Sequence, residues 1–495
     1  MLTFSIVACK DEVDETDEPN VDDEFTGSIA GGPENNGAKP QEPPPIAVGD
    51  ANAVIEIRTA DDLKKIAQNG TYILMNDIDM TGVTFAPIGN YEYPFKGTLK
   101  SAEGERFTIS NVKVSVSEAA VGPTKTYSYA YAGLFGATNG ATVSSINVTN
   151  ADISAVSTDE YCFVTSGIIT GYAINTTVNN CSVSGKVYSK SKLFNSYAGG
   201  ICGILEDGEI TNCVSDAQIE TADSKNRAVS GGIAALALLD SSVSHTVVRG
   251  SVKAVASNGV AYAAGLVGNT RKGSYTVCRS EADVYAETLE VNATEALQGA
   301  AYAGGIVGVS SAPNETDKTT FTRCYAIDKT VTAVGNDCAA YAGGIAAYIA
   351  YTDFTHCYTL CDVSLKATAK NSFASTGFGY ISTTKGNSNA DNYVADFYVK
   401  GCFSYGDLNV VHGKIDHMLL GTLYGYISDE TSKTNIRLSF YNQNATYTLN
   451  GKENPSTLGK NGTAKVSLYF TEANISDFGW ASSEWETVDG YLYAK

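Results

Sequence analysis

"YAGGIVG" (residues 302–308) decides how this chain folds. Its apolar residues suit a strand, yet three of the seven are glycine. Glycine inside a strand marks a bulge or a close approach of another backbone. The phrase recurs as "YAGGICG" at 197, "YAAGLVG" at 262 and "YAGGIAA" at 341, with looser forms "AGLFG" at 132, "SGIITG" at 166 and "SGGIAAL" at 230. Taking the glycine before the apolar pair as an anchor gives Gly133, Gly167, Gly200, Gly232, Gly265, Gly305, Gly344 and Gly377, and a late copy, "LGTLYGYI", adds Gly421. A period between twenty and fifty residues is the signature of a solenoid or array.

A second phrase follows the anchors: "NCSVSGKV" (180), "NCVSDAQI" (212), "HTVVRGSV" (245), "VCRSEADV" (277), "RCYAIDKTV" (323), "HCYTLCDV" (356) and "GCFSYGDL" (401). From its second residue to the next anchor the count is 19 or 20, except for 27 between Cys278 and Gly305. Insertions are confined to particular coils, as in "SSAPNETDKTT" (310–320), and read as loops leaving a fixed scaffold. The apolar alternation in "INVTNADISAV" and "CSVSGKVYS" has a period of two, which is that of strands. The expectation is an all-β, right-handed parallel β-helix (β-solenoid), with about three short strands per ~33-residue coil and a small N-terminal helix. Coils would stack at about 4.8 Å. The glycines would sit where each coil turns too sharply for a side chain.

The 495 residues carry a net charge of -20. Twelve acidic residues and two lysines fall within residues 1–50. An acidic chain repels phosphate backbones, so nucleic acid is not an expected partner. No apolar run is long enough to cross a membrane as a helix. The start "MLTFSIVAC" places Ile6-Val7-Ala8 before Cys9, which fits a bacterial lipobox. On that reading residues 1–8 are the remnant of a lipoprotein signal and Cys9 is lipidated. Residues 9–53, acidic and then Pro/Gly-rich, form a disordered tether. Residues 54–130 form a capping module, 131–430 the repeats, and 431–495 degenerate coils with closing strands.

Six cysteines share one repeat position: Cys181, Cys213, Cys278, Cys324, Cys357 and Cys402. Thr246 takes that place in one coil. A ladder of buried thiols is expected, since threonine cannot replace a disulfide or a metal thiolate. No CxxC pair exists, and neither a metal site nor a cofactor is expected. His245 and His356 precede the ladder where Asn180 and Asn212 stand in other coils, so they read as turn residues. His412 and His417 lie in a late loop with no nucleophile signal nearby.

Tyr197, Tyr262, Tyr302 and Tyr341 each precede an anchor by three residues. In register they would form a ladder, either an aromatic platform that binds sugar rings or a stack that stabilises the solenoid. Loops at 121–130, 269–274, 288–300, 310–320 and 385–396 are further binding candidates, because loops on a rigid scaffold carry variable contacts. Asp77 and Asp79 share a strand face and could bind calcium or catalyse, or could fix a turn. Thr59 is placed to cap the helix that begins with Asp61 and Asp62.

"AGGIVG" followed by "NCxVxGxV" resembles the GLUG-motif repeat of bacterial surface proteins. The stretch 55–114, with "ADDLKKIA", "YILMNDIDM" and "PFKGTL", is similar to that family's capping module, and "FGWASSEWETVDGYLY" (478–493) is similar to its closing strands. The acidic stretch after Cys9 resembles that of Bacteroidetes surface lipoproteins. Such repeats occur in adhesin-like lipoproteins of gut bacteria and beside peptidase domains in IgA-cleaving enzymes, and no HExxH is present here. The resemblance implies an adhesin-like lipoprotein at the bacterial outer membrane and cell surface, not an enzyme, that binds host or dietary glycan or matrix protein and meets the membrane only through its lipid anchor. A carbohydrate-active β-helix enzyme (polysaccharide lyase or hydrolase) and a structural surface stalk are the alternatives. The enzyme would require exposed carboxylates in a groove.

Overall fold

The computed structural model describes residues 46–494 apart from 119–127, 159–161, 290–298, 313–316, 369–371, 383–396, 415–417, 428–434, 454, 456–457, 460–462, 466–479 and 489–490. Cys9 and residues 9–45 of the expected tether lie outside the described residues.

The glycine phrase is two strands and a corner. In one coil, Ser182–Ser191 forms the first strand, Ser196–Gly199 the second, Cys202–Glu206 the third and Glu209–Thr211 the fourth. Gly200 and Ile201 turn the chain between the second and the third. About three short strands per coil are expected, and they become four because the glycine phrase bends in the middle and counts as two. Each segment pairs in parallel with its counterparts in the coils before and after, giving four sheets, I to IV in coil order. Among the described residues sheet II has ten strands, sheet III nine and sheet IV twelve. In sheet I the long strands up to Arg279–Thr288 give way to pairs of shorter ones, such as Tyr325–Ala326 and Thr330–Gly335, which both pair with Arg279–Thr288. Splitting makes a branched sheet here, and the result is a parallel β-helix with no closed barrel.

Close approach explains the corner glycines. A Cβ added to Gly265 would land on Ser280 Oγ of sheet I and on the carbonyl oxygen of Gly305 in the next coil. The corner therefore points into the coil, towards sheet I. Register also corrects the anchors. Gly167 pairs with Gly199, Gly343 with Ser375, and Ser375 with Gly421. Gly167 and Gly421 thus correspond to the first glycine of the pair, and Thr376, not Gly377, takes the place of Gly344.

The inward corner divides the interior in two. Alternate residues of sheet II, such as Ala301 and Ala303, face the main core between the four walls, where Val307 and Ile349 of sheet III join them. Tyr302 of sheet II and Val309 and Tyr348 of sheet III face one another across the notch between the two sheets and fill a second, tyrosine-rich core. The helix is a single turn, Ala60–Leu63, with Thr59 as its N-cap and Asp62 completing a capping box.

Candidate functional site

The cysteine ladder lies at the turn from sheet IV to sheet I. All six thiols are free and buried. Each Sγ donates to the carbonyl two residues earlier at 3.1 to 3.6 Å, from Cys181 to Asn179 through Cys402 to Lys400. Thr246 Oγ1 makes the same bond to Ser244 at 2.9 Å, which is why threonine fits the rung. Burial pushes the thiols of Cys278, Cys324 and Cys357 well above their ordinary range, so they are inert at neutral pH. The residue before each rung is left-handed: Asn180, Asn212, His245, Val277, Arg323 and His356 have φ between 50° and 54°. His245 and His356 are turn residues.

The four ladder tyrosines do not form an open platform. Tyr197, Tyr262, Tyr302 and Tyr341 are 0 to 6% exposed, packed in the second core against sheet III. Val229 stands between Tyr197 and Tyr262 in the register, and Tyr302 stacks on Tyr341 at 4.4 Å. Their reading as sugar-binding residues is corrected on this point: a covered ring cannot receive a sugar face. Asp77 and Asp79 are occupied locally. Asp77 accepts from the Thr108 amide, and Asp79 accepts from Thr81 and from Asn111 Nδ2. Those hydrogen bonds, Asn111 foremost, lower the Asp79 pKa and mark it as a turn-fixing carboxylate.

The open feature is a groove of about 550 Å³ across the outer face of sheet I. Its floor is a kink in the long strands. Strand pairing shifts between Val148 and Ala151, and Asn111, Asn150, Gly185 and Gly250 all have positive φ. Lys113, Asp152, Lys186 and Gln218 occupy successive rungs of one rail, and Asp216 stands on the other side of the kink. Lys113 pairs with Asp152 at 3.4 Å. Asn150 donates to Asn111 Oδ1 at 2.7 Å, which extends the amide chain from Asp79. The result is an open, elongated surface of alternating cations, carboxylates and amides, suited to a polar chain lying along the rod. Sequence reading missed these residues. Their signal was the polar position five residues beyond the cysteine, Lys186 after Cys181 and Gln218 after Cys213.

Farther along, the outer face of sheet I is aromatic and covered. Tyr325, Tyr358, Phe403 and Phe440 form a third buried cluster with Trp480 and Trp485. The strand Trp485–Val488 pairs antiparallel with Tyr491–Ala494, and Trp480 Nε1 donates to Gly401 O at 2.7 Å. The closing strands are a strap laid across the side of the rod.

The GLUG motif family matches residues 194–220, one full glycine phrase and the cysteine phrase that follows it. No curated protein matches significantly. Among solved structures, a candidate immunoglobulin A1 protease from Bacteroides ovatus is similar over 89% of this chain and 91% of its own, at 15% identity and a TM-score of 0.33. An IgA1 protease is similar over 79% of this chain at 14% identity and a TM-score of 0.31, and the match spans 22% of that protein. The expectation that the chain is not an enzyme is withdrawn, because these neighbours carry protease names. At such identity and TM-scores the likeness carries no argument for a particular activity.

Proposed function

We propose that this GLUG-motif β-helix is displayed at the cell surface through Cys9 and binds an extended ligand, a glycan or a matrix protein, in the groove of sheet I. The observation that carries the reading is the groove itself: about 550 Å³ of open, elongated surface with Lys113, Asp152, Lys186 and Asp216 around a kinked floor. Rungs repeat at about 4.8 Å, so a polymer lying along the axis meets a new set of polar groups at each coil. Contacts add along the rod, which suits weak, multiple recognition.

The same groove favours a second reading, cleavage of a bound carbohydrate. Asp152 and Asp216 are exposed carboxylates in one groove, the feature such an enzyme requires. One experiment addresses both. The full-length protein and a Lys186→Ala/Asp216→Ala variant are tested on an array of glycans and matrix proteins, and the products of every bound glycan are analysed. Binding that disappears in the variant supports the groove, and shortened glycan assigns it to cleavage. Binding that is equal in both proteins rejects it. Cys9→Ala is expected to release the protein from membranes, and retention would reject the anchor.

A further inference from the structure

Charges on the outer face of sheet I are largely spent on one another. Lys113 pairs with Asp152 at 3.4 Å, Arg249 with Glu281 at 3.3 Å and Lys253 with Glu220 at 2.8 Å. Each pair joins adjacent coils in register, so it follows from the stacking itself. The groove holds the exceptions. Lys186, Asp216 and Gln218 line it, are exposed, and make no ion pair or side-chain hydrogen bond among the described residues. Lys186 has Asp152 beside it in the register, yet Lys113 holds that carboxylate. Asp216 has Arg249 beside it, and Glu281 holds that guanidinium. The fold gains little from pairing exposed charges. What these residues supply is donors and acceptors converging on one cavity.

Their spacing narrows the ligand. Lys113, Asp152, Lys186 and Gln218 stand on successive rungs of one rail. Cations thus recur at every second rung, about 9.6 Å apart. The rung between them carries a carboxylate, and the rung after Lys186 carries a neutral amide. An extended pyranose chain laid along the rod advances by about one rung per sugar. A chain with a carboxylate on every second sugar sets its anions against Lys113 and Lys186, and its neutral sugars against Asp152 and Gln218. Tyr188 adds an aromatic flank. It stands two residues beyond Lys186 on the same outward face and is only half-buried. Its neighbours in that rail are Ser154 and Glu220, so the ring is not part of an aromatic stack along sheet I.

We propose that the groove of sheet I takes an acidic glycan with a uronate at every second position: Lys186 binds the carboxylate, Asp216 and Gln218 bind hydroxyls, and Tyr188 flanks the apolar face of the ring. The inference rests on the reading of the groove as a binding site and names its ligand class. A lysine is a compact point charge and suits a carboxylate that arrives from solvent. The arrangement also sets a limit. A chain with a carboxylate on every sugar would bring one against Asp152, a single rung from Lys186, and like charges that close repel. A sparsely charged chain also suits a protein whose own net charge is -20.

The test is calorimetric titration of the full-length protein at low salt with three octasaccharides: alternating glucuronate and N-acetylglucosamine, its carboxyl-reduced counterpart, and a homopolymer of galacturonate. The alternating chain is expected to bind tightest, with about a fivefold loss on carboxyl reduction and a similar loss in Lys186→Gln. The two losses should not add, because they remove the same contact. Lys186→Arg is expected to keep the binding. The homopolymer is expected to bind more weakly and to gain affinity in Asp152→Asn, which removes the opposed carboxylate. Lys186 is exposed, so its variants should melt with the parent protein. A neutral chain bound as tightly as the acidic one, and lost in Lys186→Ala/Asp216→Ala, would keep the groove and overturn its acidic ligand. A homopolymer bound as tightly as the alternating chain would overturn the spacing. Binding of none of the three, or acidic binding indifferent to Lys186→Gln, would overturn the inference, while the groove itself stands or falls by the array.

Discussion

The two halves of sheet I follow one backbone programme and present opposite surfaces. In the N-terminal half the strands are long and kinked, and their outer face is an open polar groove with Lys113, Asp152 and Lys186 on successive rungs. In the C-terminal half the strands are split, and their outer face is a stack of Tyr325, Tyr358, Phe403 and Phe440 closed by Trp480 and Trp485. The inner face scarcely changes between them: the cysteine ladder runs from Cys181 to Cys402 with one threonine. A solenoid separates two tasks that a globular core mixes. Inward residues set the stack, and outward residues are free to open one stretch to ligand and close another.

The largest way to break this contrast is to open the closed half. Trp485 is fully buried over Tyr325 and Tyr358, at ring distances of 6.2 and 5.9 Å. Trp485→Ala is expected to cost about 4 kcal/mol, read by denaturant unfolding. It should bare an aromatic face that binds a hydrophobic dye, while protease protection of the groove half stays as it was. Equal loss in both halves would show one cooperative unit in place of two surfaces. Gly265→Ala tests what the halves share. Its new Cβ meets Ser280 Oγ and Gly305 O, and both belong to fixed walls, so about 3 kcal/mol of destabilisation is expected. A variant as stable as the parent would remove close approach as the reason for the repeat.

The inner programme was legible in the sequence because stacking enforces it. A glycine at the corner and a small buried residue at the ladder recur in coil after coil, so period and spacing reveal them. The corner itself was harder to read. Periodicity located "YAGGIVG" but could not show that the chain folds inward there, since that depends on the backbone of sheet I standing opposite. The tyrosines were visible for the same reason as the cysteines, yet their burial follows from the notch that the corner creates. The groove was hidden for the opposite reason. Lys113, Asp152, Lys186 and Gln218 share a rail without sharing chemistry, so no repeated letter marks them.

A smaller effect sharpens the contrast at the boundary between the halves. Val277 precedes the Cys278 rung with φ 54°, a conformation that its branched side chain resists. Asn180 and Asn212 hold the same place with φ 54° and 53° in the polar half. Val277→Asn is therefore expected to raise stability by about 1 kcal/mol, seen as a higher melting temperature. A drop would mean that Val277 contributes packing that outweighs its strain.

The smallest effect is a dependence on pH confined to the covered half. His356 stands at that same left-handed position, 6.2 Å from the ring of Trp480, with Nε2 buried and unpartnered. Burial lowers its pKa, Lys400 and Arg323 lower it further, and Glu484 on the strap opposes them. The folded pKa lies below the unfolded one, so between the two values the unfolded chain binds more protons. The contribution of neutral His356 is present above the unfolded value, near pH 6.5, and is lost as pH falls through the folded value. Acidification from pH 7 to 5 should thus loosen the strap before the groove half responds. Trp480 and Trp485 are the only tryptophans in the chain, so their fluorescence reports the strap alone. His356→Asn, which keeps a residue suited to the left-handed turn, should flatten the pH dependence of that signal. An unchanged slope would place the sensitive group elsewhere and leave the two halves alike in their response to acid.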